Sequence, residues 1–470
     1  MIQTKKQNYV YNYPLNLDLK KKSLYILLLN IIPIDDLLRT WPTNKTNILR
    51  LTSKKVKKIV DNIHPPIEIR LNKSLWEANI IITFNIIKLE MIGCNINILN
   101  RIGKFVELIK QCPSLTHLNL GTNEIGPVEI ERLLIEIDNN RELSHLNLCS
   151  NNIGIEGAKS LAGILGKCRE ITHINLSEND LESIGMNILA EVVCKQCPFL
   201  ALKHINLSYN NIEASGAVSI ARMLNLCKLL TYIDLSNNML GDEGIVSIAS
   251  VLEKCNFLSH IYLNDNEFGD IGIESIAKVL DKCPLLTHLD FSYNNMGADG
   301  TIKLAGVLEK CKLLLYINLG DNDIGDTGIE SITKVLDKCP LLTHLDLSAN
   351  NIEIARAEYI SGVLGKCESL SHLDLSNNRI ESIGILSIAS VLSQCPVLAN
   401  LDLRFNQIGD DGANSLASML LQCNNLVLSD LDIRYNKIGS VGVKAITSFQ
   451  SQCPSMAIKY INQNYIATEL

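Results

Sequence analysis

No apolar run in this 470-residue chain is long enough to cross a bilayer. The longest, SLYILLLNIIPI at 23–34, is broken by Asn30 and Pro33, whereas a spanning helix needs about 20 apolar residues. Lys20, Lys21 and Lys22 before it imitate a secretion signal. The run nevertheless begins well inside the chain, ends in Asp35-Asp36 and offers no small-residue cleavage site. The expectation is a soluble, non-secreted chain with no membrane contact. A phosphate loop is missing too. GIEGAKS at 154–160 leaves two residues between its glycines instead of four, and Ala158 precedes Lys159. That excludes a nucleotide-driven sensor. Basic excess is confined to the start: 14 Lys and Arg stand against 6 Asp and Glu in residues 1–80, but 29 against 44 in the rest. So acidic a body argues against nucleic acid as the main partner, which needs basic surface. The basic head reads as solvated helix faces.

Disulfides are the next expected absence, despite fifteen cysteines. Twelve recur in one slot: Cys112, Cys168, Cys197, Cys227, Cys255, Cys283, Cys311, Cys339, Cys367, Cys395, Cys423 and Cys453. Placed on successive helices packed ~8–10 Å apart, they exceed the ~7 Å Cα separation that a disulfide spans. They read as buried thiols acting as small hydrophobes, which points to a reducing compartment, cytoplasm or nucleus. Cys194 and Cys197 form a lone C-x-x-C with no second ligand pair, so no metal and no cofactor is expected there. The Asn175-Leu176-Ser177 sequon falls inside an expected strand, a poor place for glycosylation.

What the chain does have is a repeat. A frame L-x-x-L-x-L-x-x-N-x-I starts at Leu115, Leu143, Ile171, Leu202, Leu230, Leu258, Leu286, Leu314, Leu342, Leu370, Leu398 and Leu428. The spacing is 28 residues except for 31 after Ile171 and 30 after Leu398. A weaker copy starts at Ile86 with Cys94 in the Asn slot, and a truncated one from Ile458 reads as a cap. Leu-x-Leu alternation is a short strand with one buried face. The Asn slot supplies donors and acceptors to turn backbone. Text such as LGDEGI brings glycines that let the chain turn, and GIVSIASVLEKC is an apolar helical stretch. One strand and one helix per repeat must stack in parallel, with strands lining a concave arc.

The phrase LxxLxLxxNxIGxxGxxxIAxxLxxCP resembles the leucine-rich repeats of the ribonuclease-inhibitor type, over about residues 86–465. That resemblance implies an α/β fold: a right-handed solenoid (horseshoe) with a parallel concave sheet and outer helices. Such horseshoes serve inhibitors, innate-immune sensors, GTPase activators and ubiquitin-ligase receptors alike, so the resemblance implies a non-enzymatic protein-binding scaffold without fixing its role. Residues 1–85 are expected to form a helical N-terminal cap, and 86–470 the solenoid of about 12–13 repeats with its own cap.

Positions three, five and seven of the frame are expected to face the concave arc. Slot three holds His117, His145, His173, His204, Tyr232, His260, His288, Tyr316, His344, His372, Asn400 and Asp430. As a metal site this row would lack converging ligands. As a catalytic site it singles out no Ser or Cys. It reads instead as a residue copied by unit duplication. With Asp in slot five favouring the charged ring, the arc is expected to gain positive charge in mild acid. Recognition of one partner should rest on non-repeated residues. These are Arg404, Phe405, Arg434 and Tyr435 near the end, then Tyr209, Tyr232, Tyr262, Tyr293 and Tyr316 in the middle. Terminal repeats also depart from pattern simply because they approach a cap.

In the first 85 residues, helical patterns are expected near 23–40 and over 51–63. IEIRL reads as an entering strand. The text ILLLNIIPIDDLL followed by RLTSKKVKKIV resembles an F-box in degenerate form, without the opening Leu-Pro and with TWPTNKTNI inserted. The resemblance implies that Ile32, Pro33, Leu37 and Leu38 touch a ubiquitin-ligase adaptor while the repeats hold a substrate. A plain cap for the exposed apolar end of the solenoid is the other reading. A GTPase-activating scaffold similar to the leucine-rich-repeat activator of nuclear-transport GTPases is the alternative function.

Overall fold

Beyond the first two strands, three-residue strands and ten- to fifteen-residue helices alternate in the computed structural model, as the repeat frame requires. The structure describes residues 67–71, 86–93, 101–110, 112–137, 142–167, 170–196, 201–422, 427–452 and 457–459. The helical patterns expected at 23–40 and 51–63, the F-box-like residues, Cys94, Cys168, Cys197, Cys423 and Cys453 lie outside them.

Strand β1 (Ile67–Leu71) is the entering strand, and it pairs with β2 (Ile86–Met91). From there β3 (His117–Asn119) to β15 (Ala457–Lys459) follow, giving, among the described residues, one open parallel sheet of fifteen strands whose order is the chain order. Equivalent slots stand opposite one another: His344 faces His372, and Asp346 faces Asp374. This is the expected α/β solenoid. Strands stack at ~4.8 Å and helices at ~8–10 Å, so the sheet must line the inside of the curve.

Burial follows the frame. Slots one, four, six and eleven, such as Leu230, Ile233, Leu235 and Leu240, are fully buried, as are the helix residues facing them, Ile245, Ile248 and Leu252. The Asn slot supplies the polar part of this interior. Asn238 donates from Nδ2 to the carbonyls of Leu207, Leu235 and Ser236 at 2.9–3.1 Å. Its Oδ1 accepts the backbone N–H of Asn210 (3.1 Å) and Ile212 (3.0 Å) in the preceding repeat. One buried amide therefore joins two repeats, as the sequence suggested.

Two local readings need correction. In GDEG, Gly241 does turn, with φ +57° opening the helix Gly241–Leu252. Gly244 lies inside that helix instead; a Cβ there would sit 3.0 Å from Ala217 Cβ and 3.3 Å from Ala214 Cα. The second glycine permits close helix packing rather than a turn. The described cysteines of the repeated slot, likewise, lie past the helices rather than on them. Cys227, Cys311 and Cys395 stand just past their helices, and each thiol donates to the carbonyl four residues back, Met223, Val307 or Val391. A small group with one weak donor suits that helix end. Burial pushes the Cys283 thiol up to about 12, so it stays protonated.

Slot eight is left-handed throughout. Thr122, Ser150, Glu178, Tyr209, Asn237, Asp265, Tyr293, Asp321, Ala349, Asn377, Phe405 and Tyr435 all have φ between +51° and +60°. The turn is set by the ladder, since the slot-eight N–H donates to the slot-seven carbonyl of the next repeat, as from Tyr209 to Ser236 at 3.0 Å. Side chains here project from the rim just beyond the strands.

Candidate functional site

The concave sheet presents slots three and five, both mostly half-buried. Slot three is a continuous column of ten rings from His117 to His372, with consecutive centroids 3.8 to 6.1 Å apart. Tyr232 and Tyr316 belong to this column, and Tyr262 leans on Tyr232 from slot five at 5.4 Å. Seven of the eight imidazoles carry a feature the sequence reading missed. In each, Nδ1 lies 2.8 Å from the hydroxyl of the preceding residue: Thr116, Ser144, Thr172, Ser259, Thr287, Thr343 or Ser371. That hydroxyl also donates to a backbone carbonyl of the previous repeat at 2.8–3.2 Å. With its one proton so placed, the ring donates from Nδ1 and keeps Nε2 as its acceptor. The signal was present in the sequence, because every slot-three His except His204 follows Ser or Thr. A hydroxyl locked onto sheet backbone and repeated seven times is a ring-orienting device, not a nucleophile.

The expectation that these rings charge in mild acid is overturned. Burial first, then neighbouring imidazoles, lowers His145 to about 3 and His204 to about 4; burial and His260 lower His288 to about 4. Slot five moves the opposite way. Burial raises Asp290 to about 6, and burial with the charges of Asp346 and Asp402 raises Asp374 to about 6. Acid near pH 6 therefore removes negative charge from Asp290 and Asp374 while His145, His204 and His288 stay neutral. The reason is desolvation, which penalises whichever form is charged.

Slot five is also polarised along the arc. Asn119, Asn147, Asn175 and Asn206 occupy the first repeats; Asp346, Asp374, Asp402 and Asp432 occupy four consecutive late ones. Each is oriented by the chain two residues on. Asn175 Oδ1 accepts from Ser177 N and Oγ at 2.9 and 2.8 Å, and Asp290 Oδ1 accepts from Ser292 N and Oγ at 3.1 and 2.6 Å. Slot seven therefore departs from the alternation rule where it holds serine, whereas Arg404 and Arg434 in the same slot stay partly exposed. Ser177, Ser208, Ser236, Ser292 and Ser376 are buried there, and Ser348 is half-buried. The strand ends at slot five, so the outward-inward alternation stops there.

The anticipated cluster at the end of the arc divides in two. Arg404 folds back onto Asp402, Nε to Oδ2 at 2.7 Å, and Arg434 onto Asp432, Nε to Oδ1 at 2.9 Å. Both partly neutralise the acidic row and remain about a third exposed. Phe405 and Tyr435 stack on each other at the rim, 4.2 Å apart and 5° from parallel. Tyr209 and Tyr293 stand on the same rim, 54% and 61% exposed. Beside the aromatic pair runs a groove of about 750 Å³, floored by slot-eight and slot-ten residues of the later repeats. A smaller one of about 250 Å³ lies over His117 to His204. Among the described residues no group of three His, Cys, Asp or Glu is arranged to hold a metal ion, and no helix is long and apolar enough to cross a membrane.

A family model described as Leucine Rich repeat matches residues 111–128, 139–162, 202–221, 226–249, 254–277, 282–305, 310–332, 338–353, 366–389, 394–417 and 424–446, just over half of the chain. No curated protein matches. Solved structures similar to this chain include an internalin (InlF) from Listeria monocytogenes, with 18% identity and TM-score 0.48 over 78% of this chain and 91% of that one. The Rad7 and Elc1 complex of yeast gives 15% identity and TM-score 0.48 over 93% and 98%. A TDR receptor gives 17% identity and TM-score 0.44 over 90% and 68%.

Proposed function

The chain belongs to the leucine-rich repeat family, and from that premise we propose that it is a protein-interaction scaffold that holds a protein partner on its concave face. One observation carries this reading: the polar arc is held in place before any partner arrives. Hydroxyls orient the imidazoles, the Asn and Asp side chains are pinned by backbone N–H groups, and Arg404 and Arg434 lie on their aspartates. A surface already ordered loses little side-chain entropy on binding. The amide-to-carboxylate change along slot five gives the arc a direction, so a partner with a basic region is expected over Asp346 to Asp432. Arg404, Phe405, Arg434 and Tyr435 are the first contacts expected, with Tyr209, Tyr232, Tyr262, Tyr293 and Tyr316 next.

The finer form of this proposal is an F-box-type substrate receptor working in a reducing compartment, with Ile32, Pro33, Leu37 and Leu38 on the ligase adaptor. The test is cross-linking and affinity purification of the full chain beside one lacking residues 1–80 and a Leu37→Asp variant. Cullin and adaptor on the full chain alone support the receptor form. The same partners on all three refute it and leave the scaffold. Absence of any cross-linked protein refutes both.

A further inference from the structure

The rim groove has a cause that can be read along slot eight. Successive repeats place Tyr293, Asp321, Ala349, Asn377, Phe405 and Tyr435 there. Small residues in the middle, with the stacked Phe405–Tyr435 pair at the late end, leave a trough whose lining begins at Asn294 and Asn295. Four repeat steps separate Asn295 from Phe405, about 19 Å at ~4.8 Å per strand. An extended polypeptide rises ~3.3 Å per residue, so the length matches about six residues. A volume of about 750 Å³ is ample for such a segment.

The trough is charged differently at its two ends. Asp321 and Asp323 stand at the early end; Asp323 Oδ1 accepts from Asn351 Nδ2 at 3.3 Å. Arg379 and Lys437 stand towards the late end. Arg379 is well exposed, its nearest carboxylate, Glu353, being 4.0 Å away, and Lys437 donates to Gln407 at 2.8 Å. Between them the amides of Asn351 and Asn377 can both donate and accept, as a partner's main chain requires.

We propose that this trough receives an extended segment of about six residues from a protein partner. Its basic residue sits at Asp321 and Asp323, its acidic residue at Arg379 and Lys437, and a planar side chain lies on Phe405. This rests on the scaffold reading and names the chemistry of what is held. The opposite charges at the two ends favour a peptide over a neutral oligosaccharide, which has nothing to offer either.

A phage-displayed library of random nonapeptides, panned on the full chain, tests it. Enriched sequences are expected to carry a basic and an acidic residue about five positions apart, with an aromatic near the acidic one. A synthetic copy of the best sequence is then measured by fluorescence polarisation. Ala349→Arg fills the floor and should weaken it at least tenfold. The Asp321→Lys, Asp323→Lys double variant should do the same, with binding restored when the peptide's basic residue becomes Glu. Unchanged far-UV melting of each variant keeps misfolding separate, and the charge-swap rescue needs a folded trough. Peptides that bind wild type and Ala349→Arg equally overturn the trough but leave the scaffold standing. Enrichment of no sequence, or binding of cellohexaose alone, also overturns it.

Discussion

Replacing Asn238 by Ala should be among the costliest single changes in this protein. The side chain makes five hydrogen bonds, but they do not count equally. Each of its three carbonyl partners keeps another donor: Leu207 O accepts Asn210 Nδ2, Leu235 O accepts Asn266 Nδ2, and Ser236 O accepts Tyr209 N. The N–H groups of Asn210 and Ile212 have Oδ1 as their acceptor and become buried orphans. Two orphaned donors at about 1–2 kcal/mol each, with a smaller loss at three carbonyls, give about 3–5 kcal/mol. Asn295→Ala is the control. It is exposed and loses one bond, Nδ2 to Glu267 O at 3.1 Å, so it should stay within about 0.5 kcal/mol. The assays are urea midpoint by circular dichroism and amide exchange by mass spectrometry. About 3 kcal/mol corresponds to roughly a hundredfold faster exchange if the loss is local to Asn210 and Ile212. Asn238→Asp keeps the acceptor but turns the donors into a carboxylate facing carbonyls. Its folded pKa is therefore raised, so its deficit against wild type should shrink as pH falls. Equal midpoints for Asn238→Ala and Asn295→Ala, with unchanged exchange, would refute this account of the Asn slot.

Three other outcomes are expected. Between pH 7.5 and 5.5 the His145, His204 and His288 ring signals in NMR should not titrate, whereas binding of a basic partner should weaken as Asp290 and Asp374 take up protons near pH 6. The sign for stability is opposite in the two rows. The imidazoles, depressed in the folded state, withdraw stability as pH falls below about 6.5, and the raised carboxylates return some below about 6; ring titration near pH 6.5 would sink the assignment. Gly216→Ala should destabilise by about 1–3 kcal/mol, since its Cβ would lie 2.9 Å from Ser183 Cα. By contrast Gly163→Ala, with nothing within 4 Å, should stabilise by up to about 1 kcal/mol; thermal melts that rank the pair the other way refute the packing argument. Ala349→Gly should raise stability by about 0.5–1 kcal/mol, against the usual trend, because φ there is +51°; a lower melting temperature would contradict it.

The stacking of Leu115, Leu143 and their successors was legible because a period of 28 residues leaves one way to bury every slot at once. The Asn slot was legible for the same reason, since a polar residue at a fixed place among buried leucines has to serve backbone. Slot seven was only partly legible: Arg404 and Arg434 stay partly exposed, but Ser292, which shares the parity of His288 and Asp290, is buried because the strand has already ended and the chain is turning inward. The protonation of the arc was misjudged. Asp beside His suggests a charged ring only in water, and burial of both reverses which group titrates. The hydroxyl before each ring and the size sequence Tyr293, Asp321, Ala349, Asn377, Phe405 were written in plain sight. They carry meaning only when compared across repeats at one slot, because a single Thr116 or Ala349 is unremarkable by itself.

Because strand order never departs from chain order between β1 and β15, almost every tertiary contact joins residues about one repeat apart. A typical separation of 28 in 470 residues is a relative contact order of roughly 0.06, at or below that of helical bundles. No distant partner has to be found before a repeat can dock on its predecessor. The protein is thus suited to folding from its beginning while its end is still being synthesised, one repeat closing over the last. The growing apolar end is the surface at risk of aggregation at every moment of that process, and the next 28 residues cover it.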